Sequence, residues 1–301
     1  MKTIGGQAVI EGVMMKSPSG WSVAVRDPRG EIHFKTARAK KTNPLFKLPF
    51  IRGGVALLQA LIVGIKAIEF SGNIAYQEGV DKSEKPVGNL GIALSIGAAL
   101  IVAIALFKFL PLLITTLIGN VYDGVAKSSL LFNAIDGVAR VCIFLLYVYA
   151  IGFWKEMKRI FEYHGAEHKV IYAFEAGEEC TVENARKYKP YHPRCGTSFL
   201  LIVMIISIIT FMFIPQEWTF AQKLIARILL LPVLAGVSFE VLKLSARLKD
   251  HPMMGILIYP GLLLQRMTAK EPDDSQIEVA IAALNEVLKM DESIKEGCKQ
   301  C

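Results

Sequence analysis

The sequence predicts a polytopic α-helical membrane protein. We expect about four transmembrane helices with additional interfacial helices, a small cytosolic N-terminal β module and a cytosolic α+β loop. Two observations on composition support this class: 53% of the 301 residues are hydrophobic, and the mean hydropathy is +0.42, both high for a water-soluble domain. The third observation is a series of apolar runs of the ~20 residues that a helix needs to cross a bilayer.

Residues 1–52 predict a cytosolic basic β module and a linker. Within residues 5–37, W-S-V-A-V-R and E-I-H-F-K-T alternate between apolar and polar positions on either side of the turn signal D-P-R-G. The first residues have no apolar core of signal-peptide length, so the N-terminus is expected in the cytosol.

The positive charge of the chain is concentrated near its N-terminus. Residues 1–54 hold ten Lys and Arg against three Asp and Glu, an excess equal to the net charge of +7 of the whole chain. A basic module beside a bilayer is most simply an anchor on anionic membrane lipid. A ribosome or RNA contact is the alternative, but sequence-specific nucleic-acid binding is not predicted.

The apolar helices are predicted in two classes. Residues 53–76 are expected to form an amphipathic interfacial helix, because Lys66 and Glu69 interrupt its apolar periodicity. The transmembrane helices form two pairs, and they cover about 89–114 and 130–153 within residues 89–153, and about 197–214 and 224–244 within residues 197–244.

The C-terminal region, residues 245–301, is expected to combine two elements. Residues 251–266 are apolar but broken by Pro and Gly, which predicts a re-entrant or interfacial segment. A cytosolic helix follows at about 276–290, with Ser275 as its N-cap and Glu278 completing a capping box.

The distribution of Lys and Arg orients the predicted helices. The loop 154–196 holds eight Lys and Arg, whereas the outer loops 115–129 and 215–223 hold only Lys127 and Lys223. Because cytosolic loops carry the excess of basic residues, the loop 154–196 and both termini are expected in the cytosol.

The strongest chemical signal is the motif Y-H-G-A-E-H-K in the predicted cytosolic loop. His164 and His168 are four residues apart and share one helix face, and the H-x-x-E-H order adds Glu167 as a carboxylate for acid–base chemistry. The loop H-P-R-C then supplies His192 and Cys195. Imidazole and thiolate groups are typical zinc ligands, so the sequence predicts a zinc site.

The chain between the two clusters is expected to bring them together. The second transmembrane helix should continue into the first cluster, since no proline intervenes. K-V-I-Y-A-F then predicts a short strand, and Thr181 is expected to cap a helix over V-E-N-A-R-K. A strand and a helix would return His192 and Cys195 to His164 and His168.

The number of ligands distinguishes two kinds of site. Four ligands make a closed tetrahedron, which is typical of structural zinc. If Cys195 does not bind, the three histidines leave one position for a water that zinc activates, with Glu167 as the proton acceptor. A carboxylate from Glu183 or Glu11 would also complete an open site. Two surface histidines at this spacing also occur without any ligand.

Three further pairs of polar residues have alternative interpretations. They are Gln7 and Glu11, Asp136 and Arg140, and Asp273 and Asp274. The first pair is expected on one face of a strand, either in an assembled polar contact or on a wet edge. The second pair, inside a predicted transmembrane helix, either marks a functional site or is mutually neutralising. The third pair fits helix-terminus chemistry, with a metal or partner role as the alternative.

Four segments in order cover nearly the whole chain. They are G-G-Q-A-V-I-E-G-V-M-M at 5–15, H-G-A-E-H-K at 164–169, H-P-R-C-G-T-S-F at 192–199 and E-P-D-D-S-Q-I-E-V-A-I-A-A-L at 271–284. Together they resemble the YqhQ family of bacterial membrane proteins, which carry a domain of unknown function. The resemblance implies a multi-pass protein of the bacterial inner membrane and a metal-dependent enzyme. Inverzincin peptidases share H-x-x-E-H but are large soluble proteins with a distant Glu ligand, so no peptidase mechanism is implied.

The leading functional prediction is a cytosolic-facing zinc protein that acts as a hydrolase at the membrane surface. His164, His168, His192 and Cys195 are the candidate ligands, and Glu167 is the candidate catalytic base. The alternative is a non-catalytic subunit in membrane-protein biogenesis or another inner-membrane complex, with structural zinc and a basic module that docks on ribosome, lipid or a partner protein. A transporter that uses Asp136 and Arg140 is a third, weaker reading, because the predicted helices show no repeat. The substrate and the oligomeric state are not predicted.

Overall fold

The structure is a computed structural model that describes residues 4–39, 51–76, 89–193, 195–215, 217–247 and 252–299. The strands are β1 (Gly5–Val9), β2 (Gly12–Lys16), β3 (Gly20–Arg26) and β4 (Ile32–Arg38). The helices are α1 (Ile51–Ala75), α2 (Asn89–Ile104), α3 (Leu110–Val121), α4 (Asp123–Lys127), α5 (Ser129–Ile151), α6 (Lys155–Ala176), α7 (Val182–Arg186), α8 (Gly196–Phe211), α9 (Phe220–Leu229), α10 (Leu231–Arg247), α11 (Pro252–Thr268) and α12 (Asp274–Lys299). The chain is mostly helical with a small N-terminal antiparallel sheet, as predicted. Most of the predicted linker, residues 40–50, lies outside the described residues.

The sheet is an antiparallel meander of order β1-β2-β3-β4, and its central strands β2 and β3 are buried on both faces. Val13 and Met15 pack in one apolar cluster with residues of α6 and α12. Met14 and Val23 pack in a second cluster with Ala67 of α1. Because successive residues of a strand point to opposite faces, this double burial explains why V-M-M is apolar at every position.

The turn between β1 and β2 differs from the prediction. Gln7 lies in β1 opposite Met14, whereas Glu11 lies in the turn with a φ of 48°. The strand ends at Val9, so the predicted sharing of one strand face by Gln7 and Glu11 is wrong. The left-handed backbone at this position instead directs the Glu11 carboxylate toward α6, where Arg159 binds it.

Three described helical segments are long and apolar enough to cross a membrane. They are Arg52–Ala75 (24 residues), Leu94–Val121 (28 residues) and Ser129–Ile151 (23 residues). A fourth arises if α9 and the apolar part of α10, bent by 45° at their junction, form one span. The helix predicted as interfacial is therefore among the candidate spans, and the third predicted span is the shorter apolar helix α8. Length and composition are consistent with a membrane protein.

A buried ionic cluster joins α5, α8 and α9. Asp136 forms ion pairs with Arg140 one turn along α5 and with Arg227 of α9, whose Nη1 lies 2.6 Å from Asp136 Oδ1. Arg140 also donates to Ser207 Oγ at 3.1 Å, and Arg227 donates to Asn133 Oδ1 at 3.0 Å. The carboxylate that the sequence pairs with Arg140 thus binds two guanidinium groups.

The ring of Phe211 lies among the cations of this cluster. The Cζ atoms of Arg140 and Arg227 lie 4.9 and 5.2 Å from the ring centroid. The Nζ of Lys108 approaches to 5.3 Å from a π-helical turn, Ala105–Phe109, between α2 and α3. The negative face of an aromatic ring attracts cations, so Phe211 offsets part of the positive charge buried here.

Helix α6 departs from the prediction at both of its ends. Helix α5 ends at Ile151, and a short turn with Gly152 separates it from α6, so the predicted continuous helix is wrong. The predicted strand K-V-I-Y-A-F is also wrong, because α6 continues through it to Gly177, which has a φ of 75°. Tyr163, Ala166 and Val170 are buried at helical spacing, and this longer pattern overrides the short apolar run.

The structure confirms the predicted N-cap of α7 and corrects the predicted N-cap of α12. Thr181 caps α7 as predicted, with its side chain accepting from Asn184 N at 3.2 Å. Helix α12, however, starts one residue before the predicted cap. Asp273 accepts from Gln276 N at 2.9 Å, and Gln276 Oε1 accepts from Asp273 N at 3.0 Å. The capping box is therefore shifted by two residues from the predicted Ser275–Glu278 frame.

Candidate metal centre

Helix α6 presents two histidines on one face, and the start of α8 supplies a cysteine. The ring centroids of His164 and His168 are 4.4 Å apart. Cys195 is the N-cap of α8 and contributes the third group. One potential ligand atom from each of the three side chains lies within 4.8 Å of the other two. The structure therefore brings three of the predicted site residues together, although 31 residues separate the first from the last.

Both imidazole rings are oriented by backbone carbonyl groups. His164 Nδ1 lies 2.7 Å from Thr268 O, and His168 Nδ1 lies 2.7 Å from Pro190 O. A ring that donates its Nδ1–H to a carbonyl keeps the lone pair on Nε2 for a metal. His168 Nε2 is buried and has no hydrogen-bond partner among the described residues. A buried acceptor without a partner costs ~1–3 kcal/mol, and a metal bond would satisfy it.

Two neighbouring residues place hydrogen-bonding groups against the sulfur of Cys195. Its Sγ lies 3.1 Å from His164 Nε2. Thr197 directs both its backbone N–H, at 3.4 Å, and its hydroxyl, at 3.2 Å, to the same sulfur. Cys195 also lies at the N-terminal, positive end of α8; the thiolate is the form of cysteine that binds metals. The chemistry of this donor set, two imidazoles and a thiolate, fits zinc.

His192 lies beside these three side chains without joining their cluster of ligand atoms. Its ring centroid is 5.8 Å from that of His168, and its Nε2 lies 3.5 Å from Glu175 Oε2. Gln265 of α11 holds its backbone through two hydrogen bonds, of 2.7 and 2.9 Å. Burial, and then the charge on His168, lower the pKa of His192 to about 4, so the imidazole is neutral at pH 7.

Glu167, the predicted base, faces the N-terminal sheet. It lies about 100° around the helix from His168, and the backbone N–H of Gly6 in β1 donates to its carboxyl group. A Cβ at Gly6 would lie only 2.6 Å from Glu167 Cγ, so only glycine leaves room for this contact. Burial raises the pKa of Glu167 to about 7, while the His164 charge and the Gly6 amide act in the opposite direction.

The two carboxylates proposed to complete an open site lie elsewhere. Glu11 binds Arg159 through two contacts of 2.5 Å and accepts from the Tyr163 hydroxyl at 3.3 Å. It therefore fastens the β1–β2 turn to α6. Glu183 is exposed on α7 and is absent from the clusters of candidate metal ligands found among the described residues.

Several residues that shape the centre carry little sequence signal. Thr268 and Pro190 act through backbone carbonyl oxygens, which every residue type has. Thr197 could have been noticed in C-G-T-S, since Thr two residues after a helix N-cap can reach the cap. Gln265 is a polar residue within the apolar run L-L-L-Q-R. Its complete burial, which marks it as structurally important, is visible only in the structure.

Comparisons with known proteins give a family but no activity. The family described as "Protein of unknown function (DUF1385)" matches residues 48–290, which include every residue of the centre. "Uncharacterized protein YqhQ" of Bacillus subtilis (strain 168) is 35% identical over 297 residues, covering 95% of this chain and 92% of that protein. No solved structure matches the chain.

Proposed function

The chain belongs to the family of proteins of unknown function DUF1385, and we propose that it is a membrane-embedded zinc protein with hydrolase activity at the cytosolic membrane face. The observation that carries the proposal is the convergence of His164, His168 and Cys195, whose ligand atoms lie within 4.8 Å of one another. Three protein ligands with one remaining position are typical of catalytic zinc, whereas structural zinc sites have four.

Zinc in this centre would activate a bound water near neutral pH and polarise the bond to be hydrolysed. The residues of the chain prepare the centre for it. The carbonyl oxygens of Thr268 and Pro190 fix the two imidazole rings, and Thr197 holds the sulfur. Ligand orientation of this kind is worth 10–100-fold in metal affinity in zinc enzymes.

Two groups are candidates for the proton transfer. Glu167 remains the predicted base. To act on the water, its carboxyl group would have to give up its hydrogen bond with the Gly6 amide and accept one from the water instead. His192 is the second candidate, because its neutral imidazole lies next to His168 and a neutral imidazole can accept a proton. His192 is also the only one of the four predicted ligands outside the three-residue cluster in the described part of the chain, which leaves it available for this role.

The proposed setting is the bacterial inner membrane, with several spans and both termini in the cytosol. The apolar helices of sufficient length support the membrane location. The eight Lys and Arg of residues 154–196 support a cytosolic position for the centre. Cys195 lies directly before the apolar helix α8, so the proposed centre would lie at the membrane surface.

Metal analysis of the purified full-length protein tests the zinc site. We expect about one zinc ion per chain, lost in the double variant His164→Ala/His168→Ala. The matched control is His33→Ala, which should retain the zinc, because His33 is a half-buried histidine paired with Asp27 in a separate group of potential ligands on the N-terminal sheet. Metal-free wild-type protein, or zinc retained by the double variant, would refute the site.

Cobalt substitution tests whether the site is open. The visible spectrum of bound Co²⁺ depends on its coordination, so a hydroxamate that enters an open position should change it. Adding hydroxamate should leave the Co²⁺ spectrum of a closed four-ligand site unchanged. Loss of hydrolysis with retained zinc in Glu167→Gln would assign the base, whereas loss in His192→Gln, also with retained zinc, would assign the second candidate.

The alternative function is a non-catalytic subunit of an inner-membrane or membrane-protein-biogenesis complex. The observation in its favour is the burial of His192 next to His168, from which a small shift would complete a closed structural site. The basic N-terminal region would then dock on lipid, a ribosome or a partner protein. If this function is correct, purification in mild detergent should recover a stoichiometric partner. Hydroxamate should also leave the spectrum of the cobalt protein unchanged.

A further inference from the structure

We propose that the cavity between α6, the α7–α8 connection and α11 binds the headgroup of an anionic phospholipid. The cavity has a volume of about 490 Å³ and lies beside the centre but outside its ligand set. Its walls come from three chain segments of different character: a tyrosine of α6, a basic and tyrosine-rich loop, and an apolar stripe of α11. Each wall matches a different part of an anionic lipid.

The polar wall is positively charged. Lys187, Lys189 and Arg266 line the cavity, and its lining contains no carboxylate among the described residues. The Lys187 ammonium donates to Asn184 Oδ1 at 2.7 Å, a neutral partner that does not offset its charge. Lys and Arg side chains at the cytosolic membrane surface attract anionic lipids with ~1 kcal/mol each. The cavity is therefore complementary to a phosphate group.

The opposite wall is apolar and ends at a cation. Tyr259, Leu262, Leu263 and Arg266 occupy positions i, i+3, i+4 and i+7 of α11, which form one face of a helix. Tyr259 and Leu263 are 61% and 50% exposed. An acyl chain lying on this stripe would place the phosphate at Arg266. Binding of a water-soluble phosphate compound or of an RNA would not need the exposed apolar side chains of this stripe, whereas binding of a lipid would.

Tyr172 links the cavity to the proposed zinc centre. Its ring stacks on that of Tyr188 at 5.7 Å, with an interplanar angle of 8°, and both line the cavity. The Tyr172 ring also makes a T-shaped contact with the imidazole of His192, at a centroid distance of 4.4 Å. Tyrosines are enriched at the headgroup level of membranes. The bound lipid would also be the substrate of the zinc centre, and this part of the proposal rests on the proposed hydrolase function. The binding of the lipid rests on the cavity alone.

Native mass spectrometry of the full-length protein in mild detergent tests the binding. The probes are phosphatidylglycerol, which is anionic, and phosphatidylcholine, which has no net charge, at equal concentrations. Wild-type protein should retain the anionic lipid at least tenfold better. The variant Lys187→Gln/Lys189→Gln/Arg266→Gln should lose roughly 100-fold in affinity for it, at about fivefold per cation. Equal retention of the two lipids by wild-type protein would overturn the proposal without any variant.

Matched variants separate charge, apolar contact and folding. Lys127→Gln/Lys155→Gln/Lys289→Gln removes the same charge from exposed positions outside both the cavity lining and the basic N-terminal module, and it should bind as wild type does. A loss equal to that of the cavity variant would overturn the proposal. Leu262→Ser/Leu263→Ser should weaken retention of the lipid. If soluble glycerol phosphate displaces the lipid at equal concentration, or if only RNA binding responds to the cavity variant, the ligand is not a lipid.

The zinc content of the same samples keeps the two proposals apart. The cavity variant should bind zinc as wild type does, because none of its three residues is a candidate ligand. Lipid preference in a zinc-free wild-type protein would support the cavity and refute the hydrolase centre. Bound zinc without any lipid preference would overturn the cavity proposal and leave the centre standing.

Discussion

Removal of the carboxylate of Asp136 should destabilise the protein more than removal of any other ion-paired carboxylate in the described part of the chain. Asp136 is 1% exposed and binds two guanidinium groups that are 3% and 0% exposed, those of Arg140 and Arg227. Deleting one partner of a buried ion pair costs ~3–5 kcal/mol, because the remaining charge stays buried. Asp136→Ala leaves two such charges. The two guanidinium groups keep their hydrogen bonds to Asn133 and Ser207 and their contacts with the Phe211 ring. We therefore expect the free energy of unfolding to fall by the amount for one broken pair rather than for two.

Thermal unfolding of the detergent-solubilised protein measures this effect. At about 2–4 °C per kcal/mol, Asp136→Ala should lower the Tm by roughly 6–20 °C. The matched control is Asp123→Ala, which removes another i,i+4 partner, that of Lys127. That pair is 85% and 77% exposed, so its loss should leave the Tm unchanged.

A second variant distinguishes buried charge from simple loss of packing. Replacing the three charged residues together by leucine removes the unpaired charges, and such replacements of buried ion pairs are often neutral. Asp136→Leu/Arg140→Leu/Arg227→Leu should therefore recover most of the Tm lost in Asp136→Ala. A Tm of Asp136→Ala equal to that of wild type would refute the reasoning, as would a triple variant no more stable than the single one.

Three other predictions address the sheet, the centre and the last helix. Gly6→Ala should cost ~1–3 kcal/mol, because the new Cβ would overlap a carboxyl group of α6, and Gly5→Ala, which has open space, should be neutral in the same unfolding assay. A chelator should lower the Tm of wild-type protein, by an amount that grows with zinc affinity, but not that of Cys195→Ala; equal shifts would contradict a metal at this position. Asp273→Ala should cost ~1 kcal/mol for the lost N-cap, and Ser275→Ala clearly less; the reverse order would restore the predicted cap.

The features that the sequence predicts correctly are local in the chain. The alternation in residues 5–37 predicts strands because a period of two can be read from adjacent residues of the chain. The spacing of His164 and His168 places both on one face of α6, whether or not α5 runs into it. Composition and long apolar runs predict two of the three candidate spans among the described residues, Leu94–Val121 and Ser129–Ile151, whereas the sequence predicts the third, Arg52–Ala75, as an interfacial helix. The Thr181 cap needs only the three residues that follow it.

The features that the sequence does not predict depend on distant parts of the chain. Arg227 reaches Asp136 across 91 residues, and no spacing rule connects α9 with α5. Thr268, on α11, orients His164 across 104 residues. The direction of Glu167 depends on β1, since a helix face alone does not say which neighbour covers it. The predicted strand in α6 is wrong because a run of only five apolar residues fits the periodicity of a strand and of a helix equally well.

The centre joins two parts of the protein that are otherwise chemically different. His164 and His168 belong to α6, which packs with the N-terminal sheet and α12 in one apolar cluster. Cys195 belongs to the start of the apolar helix α8. A metal bound by all three would cross-link the sheet-bearing part to the apolar helices, so its removal should destabilise the protein in both the catalytic and the non-catalytic versions. The response of the cobalt spectrum to hydroxamate separates them, because only an open fourth position can admit the probe.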